Sequence, residues 1–229
     1  MEIRILADAD AVAAEAARLI AAEARAAVAA RGRFVMAVSG GKTPWLMLRA
    51  LADEEVPWPS VHVFQVDERI APPGDPDRNL THVRESLLAH ARLAADHIDA
   101  MPVEAADLDE AARSYARLLE DVAGTPPVLD LAHLGLGSDG HTASLVPGDP
   151  VLDVAGLDVA LTGIYMMRRR MTLTYPMLNR SRRVLWLATG AEKLAMLSRL
   201  RAGDTSIPAG RVRQDGALVL ADRSAVGEP

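Results

Sequence analysis

The chain contains no cysteine among its 229 residues. Disulfide bonds, zinc–thiolate centres and thiol nucleophiles are therefore excluded. No apolar run approaches the ~20 residues that a membrane-spanning helix needs, although half of the residues are hydrophobic. The first residues also lack the basic stretch and apolar core of a signal peptide. We therefore expect a cytoplasmic protein without a membrane partner.

A basic charge balance is missing as well. The formal net charge is −6, whereas general nucleic-acid binders are usually basic. We expect no nucleic-acid partner, and an anionic ligand would have to meet a local cluster of positive charge. The chain also has no internal repeat and no low-complexity linker. It is long enough to bury a substantial core, so we expect a single domain over residues 1–229.

Strand and helix patterns alternate along the chain, which is typical of a mostly parallel α/β sheet covered on both faces. Thr43 is predicted to cap a helix that has Pro44 in its first turn. The predicted strands are residues 34–38, 61–66, 128–134, 184–189 and 218–220, and the predicted helices are residues 11–31, 43–51, 79–92, 108–122 and 191–200.

The segment Leu134 to Thr142, Leu-Gly-Leu-Gly-Ser-Asp-Gly-His-Thr, is the most informative part of the chain. Its glycines allow a sharp turn and a close approach to a ligand. Asp139 and His141 lie two residues apart, and a histidine beside a carboxylate can move a proton near neutral pH. We interpret this segment as an active-site loop. A glycine-rich turn with an ordinary surface histidine is the alternative.

The same segment contains the spacing of a dinucleotide fingerprint, through Gly135, Gly137 and Gly140. That fingerprint requires a helix directly after the last glycine, and Pro147 and Gly148 interrupt the chain soon afterwards. We therefore predict no dinucleotide site.

Polar or glycine-rich clusters follow four of the predicted strands. In open α/β sheets, ligands bind beyond the carboxyl ends of the strands. Since a parallel sheet brings these ends to one edge, we expect a composite site there. The clusters are residues 39–43, 67–69, 135–141 and 189–193.

The first cluster is suited to a phosphate group. Gly40 and Gly41 expose backbone N–H groups, and the following helix directs its positive end to the same place. A P-loop would need glycine where Met36 stands. An ordinary strand-to-helix turn is the alternative. Lys193, in the first turn of its predicted helix, is unfavourable against the helix dipole and indicates a nearby anion.

Serine-hydrolase and metal chemistry find little support. Ser39 lacks the flanking glycine of a nucleophile elbow, because Ala37 precedes it by two positions. The six histidines show no two-ligand spacing joined to a suitable carboxylate. We expect no metal site.

Together these motifs resemble the 6-phosphogluconolactonases. The matching stretches occur in the family's order over about residues 34–215. They are residues 39–44, residues 67–69 with 72–73 and 77–79, residues 134–148, residues 170–174 with Pro176, Leu178 and Asn179, and Thr189, Gly190 and Lys193.

The resemblance implies a Rossmann-like three-layer α/β/α sandwich, shared with glucosamine-6-phosphate deaminases and ribose-5-phosphate isomerases, without a dinucleotide. It implies hydrolysis of 6-phospho-D-glucono-1,5-lactone to 6-phospho-D-gluconate, the second step of the oxidative pentose phosphate pathway. No cofactor is implied, and we expect a monomer. His141 is the implied base, Asp139 orients it, and Arg69 is the substrate-site arginine. The implied substrate and phosphate contacts are Gly40, Gly41, Lys42, Thr43, Asp67, Asn79, Gly137, Arg170 and Lys193.

The sequence departs from the family pattern at two places. Arg78 replaces a small serine, and residues 165–169 replace a proline-rich approach to Arg170. Two alternatives to a lactonase stay open. An amino-sugar phosphate deaminase or isomerase would usually have an aromatic residue where Arg69 stands. A non-catalytic sugar-phosphate sensor would carry a DNA-binding segment ahead of this fold, and only residues 1–33 precede the first motif.

Overall fold

The computed structural model of the protein describes residues 1–228. Ten strands lie in this part of the chain, in two sheets. The strands are β1 (Glu2–Leu6), β2 (Phe34–Val38), β3 (Val61–Gln65), β4 (Asp67–Arg69), β5 (Ile98–Asp99), β6 (Leu131–Gly135), β7 (Val159–Leu161), β8 (Arg170–Leu173), β9 (Arg183–Ala188) and β10 (Leu218–Asp222). The α-helices are α1 (Ala9–Arg31), α2 (Lys42–Ala52), α3 (Asn79–Val83), α4 (Leu108–Ala123), α5 (Tyr175–Asn179), α6 (Leu194–Arg201) and α7 (Arg223–Val226).

Local capping explains where the long helices begin and end. The Asp8 carboxylate accepts the Ala11 N–H at 2.8 Å at the start of α1, and Gly32 ends this helix with a φ of 76°. Asp107 caps α4 in the same way. Such caps satisfy N–H groups that have no partner inside the helix. The predicted helices 11–31 and 108–122 are confirmed.

Several predicted boundaries were wrong for identifiable reasons. Thr43 does not cap α2, because Gly41 occupies the N-cap and the Thr43 hydroxyl contacts another loop. The predicted strand 128–134 begins only at Leu131, since the carboxylate of Asp130, not a backbone carbonyl, accepts the Val35 N–H. The predicted helix 79–92 is α3 followed by a π-helical turn that ends at Leu88. The predicted helix 191–200 begins with a 3₁₀ turn before α6.

The larger sheet has seven strands in the order β1-β10-β9-β6-β2-β3-β5. All of its strand pairs are parallel. From β2 the chain adds β3 and β5 on one side, and it then returns to add β6, β9 and β10 on the other side. The order therefore reverses between β2 and β6, and such a reversal opens a crevice at the carboxyl ends of the two strands.

Both faces of this sheet are covered, so the central strand β2 is buried along its whole length. Met36 and Val38 pack in one cluster with α1 and α2, whereas Val35 and Ala37 pack in the other with α4 and α6. Alternating side chains of one strand thus reach two separate cores. The predicted three-layer α/β/α sandwich is confirmed. Within residues 1–228, no helix is long and apolar enough to cross a membrane.

A second, smaller sheet was not predicted. It is antiparallel, in the order β4-β8-β7, and it pairs Arg69 with Arg170. Its strands are three or four residues long, which is too short for a periodic signal. This sheet brings residues that are about a hundred positions apart in the sequence to the edge of the larger sheet.

A buried histidine connects the ends of β2 and β6 beyond their ladder. The ladder between β2 and β6 ends at Ala37 and Ala132. Beyond it, the Ser39 N–H donates to Nδ1 of His133 at 3.2 Å, and the Ser39 hydroxyl donates to the His133 carbonyl at 3.1 Å. Because Nδ1 accepts, Nε2 carries the proton of the neutral ring. His133 is 0% exposed, and this burial lowers its pKa to about 3.

The lowered pKa of His133 predicts a loss of stability in acid. Between pH 6.5 and about 3 the unfolded chain binds a proton at this ring that the folded chain does not bind, so the free energy of unfolding decreases as the pH falls. His133→Gln can still accept the Ser39 N–H but does not titrate. Urea unfolding measures the free energy of unfolding at about pH 7 and about pH 5. The decrease in this free energy between the two pH values should be about 2 kcal/mol smaller in the variant than in the parent protein. Equal decreases would contradict a buried neutral ring.

Candidate active site

The four clusters noted in the sequence meet at one edge of the larger sheet. They follow β2, β3, β6 and β9, which lie side by side in the order β9-β6-β2-β3. All four strands run in the same direction, so their carboxyl ends share an edge. The reversal between β2 and β6 lies in the middle of this group. The predicted composite site therefore has a common location in the fold.

His141 and Asp139 form a hydrogen-bonded pair in the loop after β6. Nδ1 of His141 lies 2.6 Å from Oδ1 of Asp139, and the His141 backbone N–H donates to the same oxygen at 3.1 Å. A carboxylate can only accept, so Nδ1 carries a ring proton, and in the neutral form of the ring Nε2 has the free lone pair. The His141 side chain is 25% exposed, which leaves the pair accessible to a small molecule.

Asp139 remains charged in this setting. Burial raises the pKa of Asp139, but hydrogen bonds from the His141 backbone and ring, the His141 charge and the Tyr165 hydroxyl outweigh burial and lower the pKa overall. A carboxylate that is ionised at neutral and mildly acidic pH can hold the imidazole in one tautomer and one orientation.

Gly137 lets the imidazole lie against the backbone of its own loop. The Gly137 N–H donates to the His141 carbonyl at 2.8 Å, which closes a tight turn. A Cβ atom at position 137 would overlap the His141 ring and come within 2.8 Å of Oδ1 of Asp139. Glycine is needed here because the ring occupies the space of a side chain.

Two arginines face each other beside this loop. Arg69 on β4 and Arg170 on β8 are direct cross-strand neighbours. Burial lowers the pKa of Arg170, nearby Asp67 opposes this change, and the facing charge of Arg69 adds to it. In residues 1–228 neither arginine forms an ion pair, and the Nε atom of each is buried without a hydrogen-bond partner. Like charges directly opposite each other repel and destabilise a sheet. An anion between them would relieve this repulsion, so the pair is suited to bind a group such as phosphate.

Glu68 organises the surroundings of these arginines. It is completely buried, and its Oε1 accepts the backbone N–H groups of Arg69 and Asn79, each at 2.8 Å. Its Oε2 lies 3.0 Å from Nε of Arg78. Arg78, where the sequence departs from the family pattern, is 2% exposed and also contacts Glu104. It supplies the counter-charge that a buried carboxylate requires.

Asn79 connects three further candidate residues. Its amide nitrogen donates to the Asp67 carbonyl at 2.9 Å, and its amide oxygen accepts from the Arg69 guanidinium. A Cβ atom at Gly40 would overlap that oxygen. The loop after β2 can therefore lie against Asn79 only because residue 40 is glycine.

The loops after β2 and β9 also touch. The hydroxyl groups of Thr43 and Thr189 are 2.6 Å apart. Gly41 caps α2 with a φ of 132°, a conformation that other residues rarely adopt. The first N–H groups of α2 thus lie near the junction of two loops, where a helix N-terminus favours an anion.

Two predicted contacts are not joined to the rest of the site. Lys42 is exposed and forms no ion pair within the described chain. Lys193 lies 3.9 Å from Glu192, which is its ion-pair partner. The structure therefore brings together His141, Asp139, Gly137, Arg69, Arg170, Asp67, Asn79 and Gly40, with Gly41 beside Gly40, whereas Thr43 contacts Thr189. The roles of Lys42 and Lys193 stay predictions.

Sequence reasoning missed three side chains here. Glu68 and Ser144 lie within the recognised motifs, and this location could have identified them as site residues. The Ser144 hydroxyl donates to Asp67 at 2.6 Å and accepts from Arg170 at 3.4 Å. Tyr165 had no signal, because it belongs to the segment that departs from the family. Its hydroxyl donates to Asp139 at 3.0 Å.

The geometry of residues 1–228 does not match a dinucleotide site or a metal site. After Gly140 the chain makes a tight turn between Thr142 and Leu145, not a helix, so the glycine spacing does not form a dinucleotide site. Among the described residues, no group of three or more histidines and acidic residues could hold a metal ion.

The parallel sheet with its crevice at the strand reversal places the chain among Rossmann-like α/β proteins. A solved structure of this kind is the crystal structure of a 6-phosphogluconolactonase from Thermotoga maritima. It matches with a TM-score of 0.85 and 27% identity, over 96% of this chain and 98% of that one.

Sequence comparison agrees with the structural match. A 6-phosphogluconolactonase from Synechocystis sp. is 37% identical over 83% of this chain and 82% of its own length. A 6-phosphogluconolactonase from Nostoc sp. is 32% identical over 99% of this chain and 97% of its own length. The family model described as glucosamine-6-phosphate isomerases/6-phosphogluconolactonase matches residues 7–220. The chain belongs to this family.

Proposed function

We propose that the protein hydrolyses 6-phospho-D-glucono-1,5-lactone to 6-phospho-D-gluconate, as in the second step of the oxidative pentose phosphate pathway. The reaction uses a water molecule activated by a general base, and it forms no covalent intermediate. Family membership supports the substrate class, since relatives over nearly the whole chain carry the name 6-phosphogluconolactonase.

One observation carries the proposal. The His141–Asp139 pair, in which Nδ1 faces the carboxylate and Nε2 does not, lies at the same sheet edge as the facing cations Arg69 and Arg170. A base and a pair of cations without a direct ion-pair partner are groups suited to the hydrolysis of an anionic ester.

In the proposed reaction, Nε2 of His141 takes a proton from water while the water oxygen attacks C1 of the lactone. Arg69 or backbone N–H groups of the loop stabilise the negative charge on the carbonyl oxygen. The C1–O bond of the ring then breaks, and the protonated imidazole returns its proton to the leaving ring oxygen. A lactone is already electrophilic, so its hydrolysis needs neither a covalent nucleophile nor a cofactor.

The test is to follow freshly generated 6-phospho-D-glucono-1,5-lactone with and without protein, after subtracting spontaneous hydrolysis. A chelator is present throughout, since the proposed reaction uses no metal. We expect faster hydrolysis, and no ammonia release from glucosamine 6-phosphate. Activity that is lost on chelation and restored by zinc would contradict the metal-free reaction, and binding of sugar phosphate without turnover would favour a sensor.

Arg170→Ala should lower kcat/KM about tenfold to a hundredfold, because a hydrogen bond to a charged group contributes about 1.5–3 kcal/mol. Lys193→Ala should also lower kcat/KM, since the proposal gives Lys193 a contact with the phosphate. Arg92, which is exposed and away from the sheet edge, gives a matched control, and Arg92→Ala should retain parent activity. Equal rates of the parent protein on phosphorylated and unphosphorylated lactone would refute a phosphate role for Arg170.

We further propose that residues 1–229 form one domain that acts as a cytoplasmic monomer. The single domain is supported by the larger sheet, in which β1 near the start of the chain pairs with β10 near its end. Light scattering should give a mass near 24.5 kDa. A mass of about twice this value would contradict the monomer.

A further inference from the structure

Tyr165 contacts both parts of the candidate site. Its hydroxyl donates to Oδ2 of Asp139 at 3.0 Å. Its ring meets the His141 ring edge-on, with 5.5 Å between the centroids and an interplanar angle of 64°. The Arg170 guanidinium carbon lies 5.1 Å from the centroid of the same tyrosine ring. One side chain thus joins the base to the anion-binding group.

We propose that Tyr165 is a positioning residue that holds the His141–Asp139 pair and Arg170 in a fixed relation. The proposal rests on the function proposed above. It assigns a role to a residue in the segment that departs from the family pattern, and it explains how this chain replaces the proline-rich approach to Arg170.

The tyrosine hydroxyl completes the hydrogen bonding of Asp139. Oδ1 accepts from the His141 ring and backbone, and Oδ2 accepts from Tyr165. With both oxygens bound, the plane of the carboxylate is set. The Asp139 side chain is 36% exposed, so without Tyr165 water would compete for Oδ2 and the carboxylate could rotate. The direction of Nε2 would then be less well defined.

The tyrosine ring stabilises Arg170 without neutralising it. A cation over an aromatic face is attracted by the ring quadrupole. A carboxylate in the same place would compete with the phosphate of the substrate for the guanidinium. The aromatic face leaves the positive charge available, which matches the lack of an ion pair at Arg170 in residues 1–228.

A strained turn presents Tyr165 to the site. Tyr165 and Arg168 exchange backbone hydrogen bonds of 2.9 and 3.2 Å. Between them, Met166 and Met167 have φ angles of 48° and 67°, which cost energy for residues other than glycine. These methionines are 74% and 91% exposed, so their own burial does not offset the cost. The Arg168 guanidinium instead anchors the turn to Asp75 at 3.1 Å.

The test compares two substitutions that separate the hydroxyl from the ring. Tyr165→Phe should lower kcat about threefold to tenfold with little change in KM, which corresponds to one net hydrogen bond. Tyr165→Leu should show this loss and also raise KM about threefold to thirtyfold, because the cation–π contact is lost. Met167→Ala, a change in an exposed side chain of the same turn, is the control and should match the parent protein.

A double-mutant cycle distinguishes positioning from a general structural effect. In a His141→Ala background, Tyr165→Phe should change the residual rate less than about twofold, since the hydroxyl acts through Asp139 on a base that is gone. Full additivity there, or parent-like kcat and KM in both tyrosine variants, would overturn the proposal.

Binding of inorganic phosphate, measured by calorimetry, gives a readout that does not depend on turnover. Tyr165→Leu should weaken phosphate binding, whereas Tyr165→Phe should not. If the parent protein binds phosphate in this way but hydrolyses no lactone, the proposed function fails and the role of Tyr165 toward Arg170 stands. Unchanged phosphate binding in Tyr165→Leu would refute that role.

Discussion

Replacement of His141 by alanine is expected to lower kcat for the phosphorylated lactone by about 10²–10⁴-fold, with little change in KM. This is the usual contribution of a positioned general base. The change removes Nε2 but leaves Arg69 and Arg170 in place, so binding of the phosphate end should persist. Steady-state kinetics on freshly generated lactone measures both parameters. His90→Ala is the matched control, because His90 is an exposed histidine away from the sheet edge.

The pH dependence of the parent protein gives a second readout of the same base. Nε2 must be unprotonated to accept a proton, so kcat should decrease as the pH falls and the ring becomes protonated. The lowered pKa of Asp139 keeps this carboxylate charged in mild acid, so protonation of Asp139 does not explain such a decrease. His141→Ala should lose this dependence. A variant with near-parent kcat and the same acid limb would show that the base lies elsewhere.

Gly137→Ala is expected to lower kcat about tenfold to a thousandfold. The new methyl group would occupy space that the His141 ring now fills, so the ring must move. A displacement of about 1 Å at a catalytic group can cost about a hundredfold in rate. The free energy of unfolding should fall by about 1–3 kcal/mol at most, since the loop lies at the surface and can relax. Kinetics together with urea unfolding separates the two effects.

Gly135 supplies the control for this prediction. It is the last residue of β6, directly before the loop, and it has no positive φ. A Cβ atom added there would meet no atom within 4 Å. Gly135→Ala should therefore keep parent kcat. In the Gly137→Ala/His141→Ala double variant the methyl group meets no ring, so its kcat should equal that of His141→Ala alone. A further loss in the double variant would mean that Gly137 acts on something other than the position of the base.

Helices and central strands were predictable where the signal is local. Asp8 and Gly32 bound α1 through hydrogen bonds and backbone conformations that involve only neighbouring residues, and the apolar run of β2 marks a strand buried on both faces. Boundaries failed where a distant group intervened. The Asp130 carboxylate accepts the Val35 N–H in place of a backbone carbonyl, and β6 begins one residue later. The Thr43 hydroxyl contacts the Thr189 hydroxyl and does not cap α2.

The His141–Asp139 pair was also accessible from sequence. Asp139 and His141 are separated by a single glycine in a tight turn. Their side chains therefore lie close together because of the local backbone geometry. The meeting of the four loops could be anticipated as well, because parallel strands place their carboxyl ends at one edge. For these features the sequence alone was sufficient.

Tertiary structure alone decided which charged groups face each other. Arg69 and Arg170 become neighbours through the short β4–β8 pair, Glu68 acquires the buried counter-charge of Arg78, and Tyr165 reaches Asp139 from a hairpin with no recognisable motif. Each contact spans ten to about a hundred residues of chain, and the Glu68–Arg78 contact is strengthened by burial, which lowers the effective dielectric. No periodicity or spacing in the sequence encodes such contacts, because they depend on how separate elements pack.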